Sequence, residues 1–573
     1  MSILEQLGNV ISTDVLVVGG GISGIVAALK AREVGVEVTV VDKASVGFGG
    51  MSARAGNGLL VLKKDQDIDE YVRYHVENIG RYINDQDMLR RFAEINYKCS
   101  RALSDWGVQL TTDKNGDIGY YPLPGAPWFG TGVELNMVPP LKKHAKNSGV
   151  KIINNVKIST LFKDGNRVIG AAGFSVINGE YYIFRAKSVV IATAGCGFRV
   201  IRMFNGRGEG IKLAWEAGAQ MRSAEFGNFF EAVTKETGEQ FHGTMPFMYN
   251  QKGENIYDKY NTWDAPDITP EMIVGMTKET LEGNGPIYVD MDKKDADMEW
   301  KGIGGSGAEL NGMTRFFPDK LAWVKRTSER NQEFFNLGRK PEMLVGLHAN
   351  LGPIRVNIDM QTTVDGLFAV GLDVWIGSAM AGCVPPPGMQ RGNSLMHGVT
   401  SGFLGGTAAA EYAKKTNEGK VDVSAAENHK NDLIKNMMRE EGLDTEELIL
   451  RMHQVVAKTK YNLYRSEERL KEAISKIDAL TEDASNYSAG DPHMLNKGLE
   501  LQSMLLSAKI AFCSALERRE SRGFHFREDY PETDNVNWLK WVLADNVNGE
   551  LRISTEDIPI DQYKFKPENF RGN

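Results

Sequence analysis

Three glycines at positions 19, 21 and 24, with an acid at 42, are the first residues whose types and spacing could do chemistry. They lie in Asp14-Val-Leu-Val-Val-Gly-Gly-Gly-Ile-Ser-Gly24, which runs on into an Ala-rich helical stretch closed by Gly35 and then into Val36-Glu-Val-Thr-Val-Val-Asp42. The order predicts strand, glycine turn, helix and second strand. In that setting Gly19 allows the tight turn, Gly21 lets backbone approach a pyrophosphate at the helix N-terminus, and Gly24 lets helix and strand pack closely. Asp42, about 20 residues on, ends the second strand where a carboxylate can accept hydrogen bonds from an adenosine ribose. Ser23 and Lys43 flank these positions and join them as expected cofactor contacts.

The choice of dinucleotide turns on the segments beyond Asp42. Lys43 to Gly58 is a loop of small residues containing Gly50, Ser52, Arg54 and Asn57, and such a loop lets backbone lie against a broad flat ring. Ala186-Lys-Ser-Val-Val-Ile-Ala-Thr-Ala-Gly195 has the form of a strand closing the same nucleotide fold, with Ala192 and Gly195 in its terminal turn. Gly366-Leu-Phe-Ala-Val-Gly371 has the form of a late strand reaching a flavin's ribityl chain, with Asp373 just beyond it. Three separated segments converging on one cofactor favour FAD over NAD.

These residues need elements to hold them. The pattern predicts an α/β chain: a Rossmann-like FAD-binding domain over residues 1–215 and 341–415, an inserted α+β capping domain over 216–340, a helical domain over 416–540 and a tail over 541–573. The middle segment is rich in Trp, Phe, Tyr and Met, whereas 416–540 carries Glu, Lys, Leu and Ala at helical period, as in Glu467-Glu-Arg-Leu-Lys-Glu-Ala-Ile. The tail reads as one strand, from Gly549, followed by loop. Glycine is distributed accordingly: residues 19–58 hold 10, residues 341–406 hold 12 and residues 416–540 only 5.

Composition removes other classes. A chain of 573 residues with 42% hydrophobic residues buries its cores without staples. The 4 cysteines are scattered with no C-x-x-C pair, so no zinc site and no cysteine-ligated iron–sulfur cluster is expected within the chain. The net charge of -8, with both signs interspersed, gives no footprint for nucleic acid. No stretch approaches 18 uncharged apolar residues and the first strand begins near the N-terminus, which gives the expectation of a cytoplasmic protein without direct membrane insertion.

Taken together, GGGISG, the small-residue loop, ATAG, GLFAVG, RGNSL and Arg519-Glu-Ser-Arg-Gly-Phe-His-Phe-Arg-Glu-Asp-Tyr-Pro531 resemble the flavoprotein subunits of fumarate reductase, succinate dehydrogenase, L-aspartate oxidase and adenylylsulfate reductase. Within that family Gly285-Pro-Ile-Tyr-Val-Asp290 and Leu344-Val-Gly-Leu-His348 are most similar to the adenylylsulfate reductase alpha subunit. The resemblance implies an FAD-dependent oxidoreductase acting on a small anionic substrate, in a hetero-oligomer with a ferredoxin-like iron–sulfur subunit. It implies substrate-facing roles for His348, read as lying in a glycine-flanked turn, and for Arg391, with Asn393 and Ser394 opening a helix against the flavin.

The departures from the family also carry information. Residues 44–58 contain no histidine, so the FAD is expected to be non-covalent. The stretch from Glu225 to Tyr257 has neither the H-P-T nor the R-G-E-G-G segment of the fumarate-reducing members. The acid that follows A-V-G in the family is Leu372 here, and His397 stands where the family usually has an acid, a position from which it could tune the flavin. Three readings result: a fumarate reductase-like or adenylylsulfate reductase-like enzyme, adenylylsulfate reductase proper, and an electron-relay flavoprotein without its own substrate.

Overall fold

The computed structural model describes residues 3–53, 58–122, 128–134, 137–200, 206–236, 247–260, 269–290, 340–350, 352–374 and 393–570. The first long strand, Asn9–Val18, is built from β-branched residues, and Val15, Leu16 and Val17 are fully buried. Burial on both faces is what a parallel strand at the centre of an α/β sheet requires.

Among the described residues the central sheet has seven strands. Val38–Val41 pairs in parallel on one side of Asn9–Val18, and Tyr181–Ile191 on the other. Lys151–Ile153 extends the sheet beyond Val38–Val41. Leu367–Ala369 pairs in parallel with the end of Tyr181–Ile191, while the antiparallel hairpin Val156–Asp164 and Arg167–Ser175 pairs with its beginning. The register is the important quantity: Val18 faces both Val41 and Ile191, and Ile191 faces Ala369. Four strands therefore end level, and the turns after them gather at one edge, where α/β sheets bind ligands.

Two helices cover one face at very short range. Ile22–Val34 follows the glycine turn, and Asn393–Lys415 lies across it. A Cβ on Gly402 would come within 2.5 Å of the Ser23 carbonyl oxygen, and one on Gly406 within 2.2 Å of that of Ala27. Glycine at these positions brings the second helix to the back of the dinucleotide helix.

The other layers are separate in pattern. Gly227–Thr234, Glu342–Asn350, Ile287–Val289 and Met248–Tyr249 form an antiparallel sheet in that order, backed by the helix Thr269–Leu281 around a Met-rich core that includes Met248, Met272, Met276 and Met343. The helices Val423–Met437, Thr445–Val456, Glu467–Asp483 and Pro492–Glu517 each start on a capping side chain, Asp422, Asp444, Ser466 and Asp491 respectively.

One expectation changes. The tail is a hairpin, Lys540–Val547 with Glu550–Asp557, rather than one strand and a loop. Its turn is Asn548-Gly549, with φ of 55° and 92°, the dipeptide that suits a two-residue hairpin. Pro492–Glu517 is long and apolar enough to cross a membrane by length and mean hydropathy although it carries Lys497, Glu500 and Lys509, and 61% of its most apolar window is buried inside the protein.

Candidate functional site

The three glycines of the first turn have different jobs. Gly19 has φ 111°, and a Cβ there would sit 2.1 Å from the Ala192 carbonyl oxygen, so the turn must pass against the strand end at Ala192. A Cβ on Gly24 would meet the Gly19 carbonyl at 1.9 Å. Gly21 is the open position: among the described residues its Cβ would meet only Ser52 Oγ, at 3.9 Å. The helix begins at Gly21 with no side-chain cap, which leaves N-terminal amides and the positive end of the helix dipole for an anion.

The small-residue loop lies over that helix start. Ser52 Oγ accepts from the Ile22 amide at 3.2 Å, and a Cβ on Gly50 would be 3.5 Å from Gly21 Cα. Asp42 accepts from the Gly20 amide at 2.6 Å and from the Ala44 amide at 2.7 Å, so the acid at the end of the second strand is fixed by backbone donors. A glycine cradle, an uncapped helix start and an oriented carboxylate fit the pyrophosphate and ribose of a dinucleotide.

The opposite wall comes from the later strands. Asp373 is buried: Thr193 Oγ1 donates to one of its oxygens at 3.0 Å and the Ala194 amide to the other at 2.8 Å. The Gly210 amide in turn donates to Thr193 Oγ1 at 2.8 Å. Burial pushes the Asp373 carboxyl up to about 8 against the pull of those hydrogen bonds. Asp373 thus braces the 192–195 turn against the 371 turn. A Cβ on Gly371 would lie 2.5 Å from Ser23 Oγ, so this turn also touches the start of the dinucleotide helix, and Gly195 is pressed by Gly206, whose Cβ would lie 1.9 Å from its carbonyl oxygen.

Lys43 takes part in a charge cluster. Its ammonium pairs with Glu209 at 2.7 Å and Glu500 at 2.6 Å, and Lys157 pairs with Glu209 from the other side. Burial opposes the charge on Glu209, yet Lys157 and Lys43 hold its carboxyl down to about 2. The cluster ties the end of the second strand to the helices Glu209–Ala217 and Pro492–Glu517. Nothing in the spacing points to Lys157, Glu209 or Glu500 as its partners.

His348 lies on the strand Glu342–Asn350 rather than in a turn. Asn228 pairs with Ala349 and Phe229 with Leu347, so the register shifts opposite His348. Its side chain lies outside the described residues, as do Arg391, Arg54 and Asn57 and the side chain of Asn393. Asn393 and Ser394 do open a helix. Phe229 is fully buried against Phe524, with ring centroids 5.4 Å apart, and Trp128 is buried among Tyr71, Tyr74 and His75, so both act as core.

The C-terminal run folds into a buried charge network. Arg518 pairs with Glu225 at 2.7 Å and Glu520 at 2.8 Å, Arg522 pairs with Glu520 at 2.8 Å, and Arg527 pairs with Asp529 at 2.7 Å. Arg465 Nη1 reaches the Glu225 carbonyl at 2.9 Å and His525 Nδ1 at 2.5 Å. Burial, with Arg465, Arg518 and Arg527 nearby, keeps His525 neutral far below the usual histidine range. Glu225 immediately precedes Phe226 and the strand Gly227–Thr234, so this network underpins the strand that pairs with the His348 strand.

The chain matches the FAD binding domain family over residues 14–389 and the fumarate reductase flavoprotein C-terminal family over 450–571. It is 25% identical to a subunit of the CoM/CoB fumarate reductase of Methanothermobacter marburgensis, covering 92% of this chain and 96% of that one. It is also 25% identical to the 8-methylmenaquinol:fumarate reductase flavoprotein subunit of Wolinella succinogenes, covering 98% and 93%. In fold it is similar to a variant of quinol fumarate reductase from E. coli, with a TM-score of 0.81, 20% identity and coverage of 97% and 98%. Adenylylsulfate reductase from Archaeoglobus fulgidus has a TM-score of 0.73 at 20% identity, covering 98% of each chain. At those identities the structural likeness concerns the fold.

Proposed function

The chain belongs to the FAD binding domain family and carries the fumarate reductase flavoprotein C-terminal region, and from that premise we propose that it is the flavoprotein subunit of a cytoplasmic complex, exchanging electrons between an iron–sulfur partner and a small anionic substrate. It is an FAD-dependent oxidoreductase. The FAD, when bound, supplies the hydride and single-electron chemistry. The finer statements rest on one observation: four level strand ends hold a dinucleotide cradle, beside a separate antiparallel sheet that carries His348 on a strand adjoining Gly227–Thr234.

In this reading residues 1–215 and 341–415 bind FAD, residues 216–340 close over it, and 416–540 supports both. The amides at the start of the Ile22–Val34 helix hold the pyrophosphate, Asp42 the adenosine ribose, and Gly50 and Ser52 line the passage toward the ring. Asn393 and Ser394 offer an amide and a hydroxyl to the flavin, with Arg54 and Asn57 beside it. His348 and Arg391 bind the substrate anion, and one of them moves its proton. With no histidine in residues 44–58, the FAD is held without a covalent bond.

A second reading, adenylylsulfate reductase proper, is favoured by the missing H-P-T and R-G-E-G-G segments between Glu225 and Tyr257. One experiment separates the two. The purified chain, reconstituted with FAD, is assayed with enoates and reduced viologen, and with sulfite plus AMP and ferricyanide. Turnover of a dicarboxylic enoate supports the first reading and turnover of sulfite with AMP the second. Flavin that is reduced by a partner yet idle with every substrate leaves a relay and overturns both.

A further inference from the structure

His397 presents a buried acceptor with nothing to accept from. It lies one turn into the helix Asn393–Lys415, 4% exposed, with Nε2 3.0 Å from the Gly371 carbonyl oxygen. A carbonyl can only accept, so the ring proton is on Nε2 and Nδ1 is the bare lone pair. That Nδ1 is buried and has no hydrogen-bond partner among the described residues. Burial holds the ring at about 4, well below the ordinary histidine range, so it stays neutral and Nδ1 stays an acceptor. A buried polar atom left unpaired is destabilising unless a partner arrives.

The location says which kind of partner. The 371 turn, to which His397 is bonded, touches Ser23 at the start of the dinucleotide helix. The next residue, Gly398, faces Ile22, since its Cβ would be 3.1 Å from Ile22 Cγ2. The ring therefore stands in the corner where the 371 turn, the dinucleotide helix and the Asn393–Lys415 helix meet, with Phe92 packed edge-on at 5.1 Å. The side chains of the 371 turn leave a gap in acceptors there. Both Asp373 oxygens are bonded within the protein, and Leu372 has none to offer. What runs past this turn, on the reading that the cradle holds FAD, is a polyol chain whose hydroxyls need acceptors.

We propose that His397 Nδ1 accepts a hydrogen bond from a ribityl hydroxyl of FAD. The histidine then joins the cofactor to the Gly371 backbone: its Nε2–H fixes the ring and its Nδ1 receives the ligand.

The test is a double-mutant cycle on the full chain, read by flavin fluorescence during titration of apoprotein. Wild type and His397→Phe are titrated with FAD and with 2′-, 3′- and 4′-deoxyribityl FAD. The expected result is that wild type binds one deoxy analogue about tenfold more weakly than FAD, and that His397→Phe binds FAD about tenfold more weakly and no longer distinguishes that analogue. The variant also loses the bond to Gly371, but that loss is common to all four ligands and cancels in the cycle. Should His397→Phe fail to fold, His397→Leu takes its place. A variant that discriminates the analogues as wild type does, or binds FAD as tightly, overturns the contact. Wild type that takes up no FAD overturns the cofactor reading itself.

Discussion

The cradle at the strand ends and the arginine network at residues 518–529 are both buried and polar, yet they are built in opposite ways. The cradle is made of backbone: glycines at 19, 21, 24 and 371, amides at a helix start, and carboxylates that accept from main-chain donors. The network is made of side chains, with Arg518, Arg522 and Arg527 buried and matched against Glu225, Glu520 and Asp529. A backbone site waits for a ligand to complete it. A side-chain network brings its own counter-charges, and in this protein it does so beside the strand Gly227–Thr234, to which Glu225 leads.

The comparison makes separable predictions. Removing one member of the network leaves buried charge unmatched, so Arg518→Met is expected to cost about 3–5 kcal/mol of stability, measured by urea unfolding of the apoprotein. Lowered stability with FAD uptake retained in the folded fraction would sharpen the contrast; an unchanged midpoint would break it. Gly19→Ala puts a Cβ against the Ala192 carbonyl at φ 111° and is expected to weaken FAD binding about a hundredfold, a loss visible in titration even where the apoprotein melts normally.

A third prediction concerns pH. Asp373 has its folded carboxyl raised to about 8 against the ordinary value of 3.8, so the folded state binds the extra proton between these values. Its contribution to stability is present in full below about 4 and is lost as pH rises through about 8. Asp373→Asn should therefore flatten the fall in stability over that window. Glu209 works in the other direction: with its carboxyl held at about 2 against 4.5, its contribution is present above about 4.5 and is lost as pH falls through about 2. Thermal melts of wild type and Asp373→Asn from pH 4 to 9 check the sign. The smallest effect is a cap: Asp491→Ala should cost about 1 kcal/mol and leave FAD affinity untouched.

The two regions also differ in how legible they are. Gly19, Gly21 and Gly24 can be read because a strand, a helix and an acid at set distances leave few other uses for them, and the strands follow from the apolar run Val15-Leu-Val-Val18 and the β-branched run Val38-Thr-Val-Val41. Lys43 is legible as the neighbour of Asp42 but not as a partner of Glu209 and Glu500, because pairing across 166 and 457 residues leaves no periodic trace. His348 reads as part of a turn because Gly346 and Gly352 flank it, whereas the edge pairing with Gly227–Thr234 keeps residues 342–350 extended. The strand Lys540–Val547 escapes a sequence reading although Asn548-Gly549 marks its turn, because the charged residues at Lys540, Asp545 and Glu550 disguise a half-buried hairpin.

The level ends of the central strands carry one further consequence, for the order of events during synthesis. Gly19 leaves the ribosome 352 residues before Gly371 does, and the helix that backs the cradle ends only at Lys415. A nascent chain therefore displays its first glycine turn long before the strand end and helix that face it have been made. Non-local pairing of this kind is slow to form and exposes strand edges in the meantime. FAD is accordingly a late ligand for this chain, able to lock the fold only after two thirds of it has been translated.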